Sequence, residues 1–363
     1  MPIVNRPPTI PGTDRLQILT GPELLEALAP AWEALAEEAG APPWWRPGWM
    51  RAWWRAFGRG RLELWTLHRD GRLVGLVPLS RQGGELRSLT NYHSPSFSLL
   101  AADDRALHSL ATGLLERAPR RLTLSFLSEE DPALAALGSA SRSAGRPVLT
   151  RVLERCPYIP LQGTWSDLLA TCRHQFVREL RRRRRRLHAR GRLETEVLDG
   201  RSDLERLLEE GFAVEAAGWK GNGGTAITST PTTRRFYTEI AEWLAARGAL
   251  RLSFLRFDGR AYAFDFAVEQ GVRHWLLKTG YDEGFRSDSP GVLLRASMIE
   301  AAFERRIKRY DFLGKDDPWK REWTSAVDVQ VRFQSFGRGP IARIDGAMQR
   351  HVRPLARRLL RRS

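Results

Sequence analysis

Apolar and polar positions alternate with a period of two along the chain from His274 to Thr279. His274, Leu276 and Lys278 fall on one side of a strand, and Trp275, Leu277 and Thr279 on the other. From Gly280 to Ser289 the chain is too polar and glycine-rich for either regular element, which predicts a loop. Ser289 then supplies a helix N-cap with Pro290 at the first helical position, and Val292, Leu293, Ala296, Ile299 and Phe303 recur on one helical face. The unit is strand, loop, helix start. Unpaired N–H groups and the positive end of the helix dipole suit such a place to a pyrophosphate over Ser289–Leu293, with Arg286 beside it, although most units of this kind bind nothing.

The same reading covers the rest of the chain. Leu24, Leu25, Leu28, Trp32 and Leu35 predict an amphipathic helix, and Trp45, Trp49 and Trp53 at spacing four predict an aromatic stripe packed into a core. Strands over 62–68 and 73–79 meet across Asp70-Gly71, and strands over 250–257 and 261–268 meet across Asp258-Gly259; both pairs are hairpins. Helices are predicted over 107–116, 133–144, 204–217 and 232–247, with short strands at 85–89, 122–127, 148–153 and 310–313. The Asp-Gly pairs lie 188 positions apart, and the Ser-Pro pairs at Ser94 and Ser289 lie 195 apart. Equal order at nearly equal offset predicts a tandem repeat of one α/β unit, with only the second copy keeping a helix directly after its loop. The expected divisions are an arm over 1–14, a first domain over 15–160, a second over 161–336 and a basic amphipathic helix over 337–363.

Charge changes this picture in two places. The net +16 is carried by Arg173–Arg192 (ten Arg against Glu179) and Gly337–Ser363 (eight Arg against Asp345), so the rest of the chain is neutral. Charge so concentrated argues against a surface-wide polyanion track, and no aromatic residues interleave with these arginines as single-stranded nucleic acid would favour. Self-repulsion along Arg181–Arg186 calls for an anionic partner; CoA phosphates, an anionic lipid carrier, a membrane surface and tRNA all qualify. In the tail, Ile341, Ile344, Met348, Val352, Leu355 and Leu359 form an apolar stripe that either docks on the body or lies on a membrane surface. Cys156 and Cys172 are the only cysteines and the seven histidines lack ligand spacing, so no metal site is expected and a reducing, cytoplasmic setting is.

Trp219-Lys220-Gly221, Gly224-Thr225-Ala226, Asp258-Gly259, Leu277-Lys278, Tyr281-Asp282, Ser289-Pro290-Gly291, Asp311-Phe312 and Lys320 with Trp323 together resemble the cellulose-biosynthesis-type acetyltransferases, a branch of the GNAT superfamily. They are similar, more distantly, to the Fem-type peptidyltransferases, which use aminoacyl-tRNA. The resemblance spans Leu16–Phe336 and implies an α/β (α+β) fold of two tandem GNAT-like domains, each a mixed, largely antiparallel sheet flanked by helices. It also implies acetyl-CoA or another acyl-CoA as co-substrate and a saccharide or lipid-linked acceptor, with the protein in the cytoplasm or peripheral on the inner membrane face. One departure stands out: the superfamily's pyrophosphate loop carries two small residues where Arg286-Ser-Asp-Ser-Pro-Gly-Val has one glycine and a proline.

That chemistry needs alignment, a base and stabilisation of a tetrahedral intermediate. Asp265 shares a strand face with Ala263 and Ala267, so it is either a base facing a cleft or a solvated acid. Lys278 either pairs with Asp265 or holds an acceptor. Asp311 caps, pairs with Lys320 or binds an acceptor, and Tyr281 either protonates the leaving thiolate or anchors the loop. Trp219 and Lys220 look like a loop over the acceptor side, with Lys320 a further substrate-binding residue.

Overall fold

Two Asp-Gly turns set the frame. Asp70 and Gly71 have φ of 51° and 81°, Asp258 and Gly259 of 48° and 80°. Positive φ at both central residues is the tight hairpin turn whose twist matches its strands, and asparagine, aspartate and glycine tolerate it best. The computed structural model describes residues 12–218 and 226–347. They fall into two units: the chain up to Leu153 together with Val329 onward, and Glu154–Asp328.

The first unit contains β1 (Arg15–Thr20), α1 (Leu24–Ala27), α2 (Ala29–Glu38), α3 (Pro47–Phe57), β2 (Arg61–Arg69), β3 (Arg72–Gln82), β4 (Glu85–Ser88), β5 (Leu100–Ala101), α4 (Asp104–Arg117), β6 (Arg121–Ser128) and α5 (Pro132–Ser143). Strands β1, β2, β3 and β4 pair antiparallel in that order, β4 pairs parallel with β6, and β5 pairs with β3. Trp49 and Trp53 of α3 are buried, so these two positions of the aromatic stripe are core; Trp45 is half-buried and stands before α3, in the turn Pro43–Trp45.

The second unit contains β7 (Val148–Pro160, begun in the first), α6 (Trp165–Thr171), α7 (His174–His188), β8 (Leu193–Leu198), α8 (Leu204–Ala216), α9 (Pro231–Ala246), β9 (Leu250–Phe257), β10 (Arg260–Gln270), β11 (Arg273–Tyr281), α10 (Pro290–Glu304), β12 (Arg309–Asp311) and α11 (Pro318–Arg321). Strands β8 to β11 pair antiparallel in chain order, β11 pairs parallel with β12, and β12 pairs antiparallel with β7. Each unit is therefore a mixed, mostly antiparallel sheet flanked by helices, with the same sequence of ladders. The predicted loop between β11 and α10 is shorter than expected, because β11 runs to Tyr281 and Glu283–Asp288 coils into 3-10 turns.

The chain ends in the first unit. β13 (Val327–Phe336) pairs antiparallel with β6, and α12 (Pro340–Ala347) follows. Linear boundaries put Val329–Phe336 in the second domain; its ladder puts it in the first. Strand partners chosen across two hundred residues leave no local mark. In α12 Ala342 is buried and Ile344 exposed, while Met348, Val352, Leu355 and Leu359 lie outside the described residues. Among the described residues no helix is long and apolar enough to cross a membrane.

Candidate active site

A β-bulge decides which residues meet. Phe266 pairs with Lys278 but Ala267 with Leu276, so Leu277 is the extra residue in β11. One inserted residue reverses the side-chain parity beyond it. Thr279 therefore shares the face of Asp265, its direct cross-strand partner, and Lys278 shares the face of Phe266. The expected Asp265–Lys278 pair does not form, because straight alternation from His274 to Lys278 overlooks the bulge.

The Asp265 face is covered by α10. Asp265 is 1 % exposed, and Arg295 of α10 donates to its Oδ1 at 2.6 Å and to Thr279 Oγ1 at 3.2 Å. Arg295 also donates to the Tyr310 hydroxyl and lies 5.7 Å from the Tyr310 ring and 6.0 Å from that of Trp319. Burial works against the Arg295 charge, but Asp265 and Tyr310 outweigh it and hold the guanidinium protonated. Burial also pushes the Tyr310 hydroxyl above its ordinary value. Asp265 Oδ2 and Arg295 Nε have no hydrogen-bond partner among the described residues. Asp265 is thus one half of a buried ion pair, neither a solvated acid nor a base open to a cleft. Arg295 hides within the helical run Val292–Phe303, although an arginine between Leu294 and Ala296 of a mostly apolar helix is a candidate buried charge.

Further along the same face His274 stacks on Tyr310 at 4.4 Å, and its Nδ1 lies 3.7 Å from Glu269 Oε2, too far for a hydrogen bond. Burial lowers the His274 pKa. Burial raises that of Glu269, yet His274, Arg305 and Arg251 together hold it down at about 2.

The opposite face is covered by α8 and α9. Lys278 Nζ lies 5.5 Å from the ring of buried Tyr237, whose hydroxyl is pushed well up by burial and then by Glu215. Glu215 accepts from Ile227 N–H at 2.8 Å, tying the end of α8 to the chain beyond residue 225. Gly280 lets α8 approach, since a Cβ there would sit 2.5 Å from the Glu215 Cα. Trp219 and Lys220 lie outside the described residues.

Toward its end β11 runs past its parallel partner. β12 pairs only with Arg273–Trp275; beyond Asp311 the chain stays with β7, through Phe312 N–H to Pro157 O at 3.1 Å, and leaves β11. From Leu276 to Tyr281, β11 has a ladder partner only on its β10 side among the described residues. The start of α10 stands at the mouth of this wedge. Ser289 takes φ 53° and ψ 53° and makes no side-chain cap, contrary to expectation, because an N-cap side chain reaches back only from extended backbone. Val292 and Leu293 N–H both turn to the Ser289 carbonyl. Tyr281 packs its ring against Gly291, where a Cβ would lie 3.2 Å from it. Arg186 of α7 and Arg190 just beyond it clamp buried Asp288 just before the helix, Arg190 at 3.1 Å, while Arg286 is exposed.

Asp311 does not pair with Lys320. It accepts from Arg309 at 2.8 Å and Arg273 at 3.3 Å, since its strand register sets it beside them. Lys320 is buried and donates to the Leu313 carbonyl at 2.8 Å, with Asp317 at 3.1 Å; burial lowers its pKa. It braces the turn at Leu313–Gly314, where φ is 53° and 57°. The structure thus gathers Asp265, Tyr281 and Ser289–Leu293 on one side of β11 and Lys278 on the other, and sets Asp311 and Lys320 in structural pairs. Burial pushes the Cys156 thiol up to about 12, leaving it unreactive. No group of three or more metal-ligating side chains occurs among the described residues.

Comparison with known proteins gives these sites a context. The family model described as an acetyltransferase (GNAT) domain matches residues 12–130 and 174–321. Among solved structures, the chain is similar to the crystal structure of FemX, at 12% identity and TM-score 0.58, covering 87% of this chain and 98% of that one. It is similar also to the C-terminal domain of a putative lysylphosphatidylglycerol synthetase from Agrobacterium fabrum, at 12% identity and TM-score 0.56, covering 89% and 96%. A third is L-PGS from Bacillus licheniformis, at 12% identity and TM-score 0.54, covering 91% and 96%. At such identities the likeness is one of fold. No curated protein matches the chain in sequence.

Proposed function

The chain belongs to the GNAT acetyltransferase-domain family, and from that premise we propose that its second unit moves an acyl group from acyl-CoA, with acetyl-CoA the first donor to test, onto an amine or hydroxyl. The observation that supports this most is the wedge where β11 parts from β12 beside the start of α10. A strand that runs on past its parallel partner leaves room along its side for a pantetheine arm, and a helix start suits a pyrophosphate. In this reading the phosphates meet Ser289–Leu293 and Arg286, and the thioester lies where Leu276 and Phe312 diverge. The nucleophile enters from the Lys278, Tyr237 and Glu215 face and attacks the acyl carbon, its proton passing to water; the carbon–sulfur bond then breaks, and the thiolate takes a proton from Tyr281, which regains one from water. Asp265 is a positioning residue that acts through Arg295.

The acceptor in this proposal is a saccharide or lipid-linked precursor of the cell envelope, of the kind the cellulose-type resemblance implies. Trp319 supports it: the ring is 37% exposed, lies 5.4 Å from Phe312 at 85°, and offers a flat apolar surface beside the wedge. A cytoplasmic protein held at the inner membrane face by its basic tail belongs to the same reading. Calorimetric titration with acetyl-CoA, longer acyl-CoAs and aminoacyl-tRNA tests it. Acyl-CoA is expected to bind and Arg286→Glu to weaken it at least tenfold. Binding of aminoacyl-tRNA with no response to any acyl-CoA would replace this reading with aminoacyl transfer, the chemistry of the Fem-type resemblance.

A further inference from the structure

Helix α7 does not spend all its arginines on carboxylates. Arg182 and Arg183 pair with Glu179 at 2.6 and 2.8 Å, Arg184 pairs with Glu300 at 3.1 Å, and Arg186 and Arg190 pair with Asp288. Arg178, Arg181 and Arg185 are exposed and have no carboxylate partner among the described residues. Their spacing of three and four puts them on one helical face. Beside that stripe, among α6, α7, β8, β9 and α10, opens a cavity of about 200 Å³. Trp165, Leu169, Leu180, Leu193, Leu255 and Leu293 make its wall apolar, and Arg181 and Arg184 stand in its lining. It lies within the second unit and includes none of the residues assigned above to the acyl donor except Leu293.

We propose that this cavity and its arginine stripe bind a single aliphatic chain bearing an anionic headgroup: the chain among the leucines, the headgroup on Arg181 with Arg178 and Arg185 in reach. Two physical demands select that ligand. An apolar wall stays dry unless a hydrocarbon fills it, and a dry cavity of about 150 Å³ already takes a benzene ring, so this one takes a run of methylenes. Three guanidiniums without carboxylates repel one another along a helix, and a phosphate or carboxylate at that mouth relieves the repulsion. A free phosphate would leave the wall empty, and a neutral hydrocarbon would leave the charge unmet; only an anionic amphiphile satisfies both. The inference stands apart from the transferase reading, since it concerns another opening.

Titration calorimetry on the full chain tests it, with decanoate, butyrate, decanol and decanoyl-lysophosphatidylglycerol as probes, each below its micelle concentration. Decanoate is expected to bind one to one, butyrate and decanol at least tenfold more weakly. Arg181→Glu is expected to weaken decanoate at least tenfold, and Ser297→Phe, which grows into the cavity from a half-buried position on its lining, to abolish binding. A tighter lysophospholipid than decanoate assigns the site to a membrane lipid, and the reverse order to a free fatty acid. Decanol binding as well as decanoate, or decanoate binding undiminished in Arg181→Glu, overturns the proposal, as does absence of binding by both anionic probes. Arg181 is an exposed position, so its variant reads out even if Ser297→Phe fails to fold.

Discussion

The two units lay down the same ladders and finish their helices differently. In each, four antiparallel strands lead to a parallel pair, β4 with β6 in the first and β11 with β12 in the second. In the first unit the helix of the crossover, α4, begins at Asp103, whose own carboxylate accepts from Ala106 N–H at 2.7 Å and pairs with Arg69. In the second, α10 begins at Ser289 in left-handed backbone without a side-chain cap, with Arg286 exposed beside it. One helix start carries its anion within the sequence. The other has no capping side chain of its own. The strand before it differs too: β4 stops at Ser88, while β11 continues past its parallel partner to Tyr281. The two copies of the scaffold thus differ in one helix cap and in the length of one strand, and in the proposed function these differences separate a binding unit from a structural one.

The largest expected effect falls on the buried pair of the second unit. Asp265→Ala leaves Arg295 charged and unpaired in an apolar interior, which costs about 3–5 kcal/mol. Urea unfolding checks this, and pairing it with Arg295→Met is expected to recover most of the loss. A change below about 1 kcal/mol would show that Arg295 finds another partner and that the pair is not what holds α10 to β10.

Acid gives the next effect. Glu269 titrates near 2 in the folded chain against 4.5 for a glutamate free of the fold. A depressed carboxylate contributes stability that is full above the unfolded value and lost as pH falls toward the folded one, here between about pH 4.5 and 2. The limit for this single group is about 3 kcal/mol. His274, lowered by burial, acts in the same direction from about pH 6.5 downward. Glu269→Gln is expected to flatten the acid limb of stability against pH; an unchanged limb would mean that the arginines around it carry no net coupling.

Placing a carboxylate at the open helix start tests the comparison directly. Ser289→Asp puts a negative charge there; aspartate tolerates left-handed backbone, although from it the carboxylate does not cap as Asp103 does from extended backbone. Acyl-CoA affinity is expected to fall at least tenfold, about 1.4 kcal/mol, with the fold retained. Undiminished affinity would move the donor away from α10.

How far this contrast can be read from the chain alone depends on the range of the interactions. Both Asp-Gly hairpins follow from two residues each, and their turn geometry is as local chemistry demands. The repeat follows from their order. Straight alternation misplaces Lys278 at the bulge of Leu277, because whether a strand keeps its period depends on the partner strand. Arg295 is illegible for a similar reason: its partners Asp265, Thr279 and Tyr310 come from three different strands. The strand Val327–Phe336 is missed altogether although Val327, Val329, Val331 and Phe333 alternate, and its partnership with β6 leaves no local signal.

The smallest effect belongs to the helix that keeps its own anion. Asp103→Ala removes the carboxylate that accepts from Ala106 N–H, and caps of this type are worth about 1 kcal/mol. It also leaves Arg69 with Asp14 alone, bonded at 2.7 Å, so the arginine stays neutralised and only the exposed half of its pairing is lost. Exposed pairs add little, so the total should stay near the cap's value. The informative arm is binding. If an uncapped helix start were sufficient to hold a pyrophosphate, the variant would gain a second acyl-CoA site in the first unit. None is expected, because β4 ends at Ser88 and offers no free strand edge to carry the rest of the donor. A calorimetric stoichiometry that stays at one in Asp103→Ala, with affinity at least tenfold weaker in Ser289→Asp, would establish that the strand and the helix start act together. A rise to two would leave the helix start as the whole difference between the units.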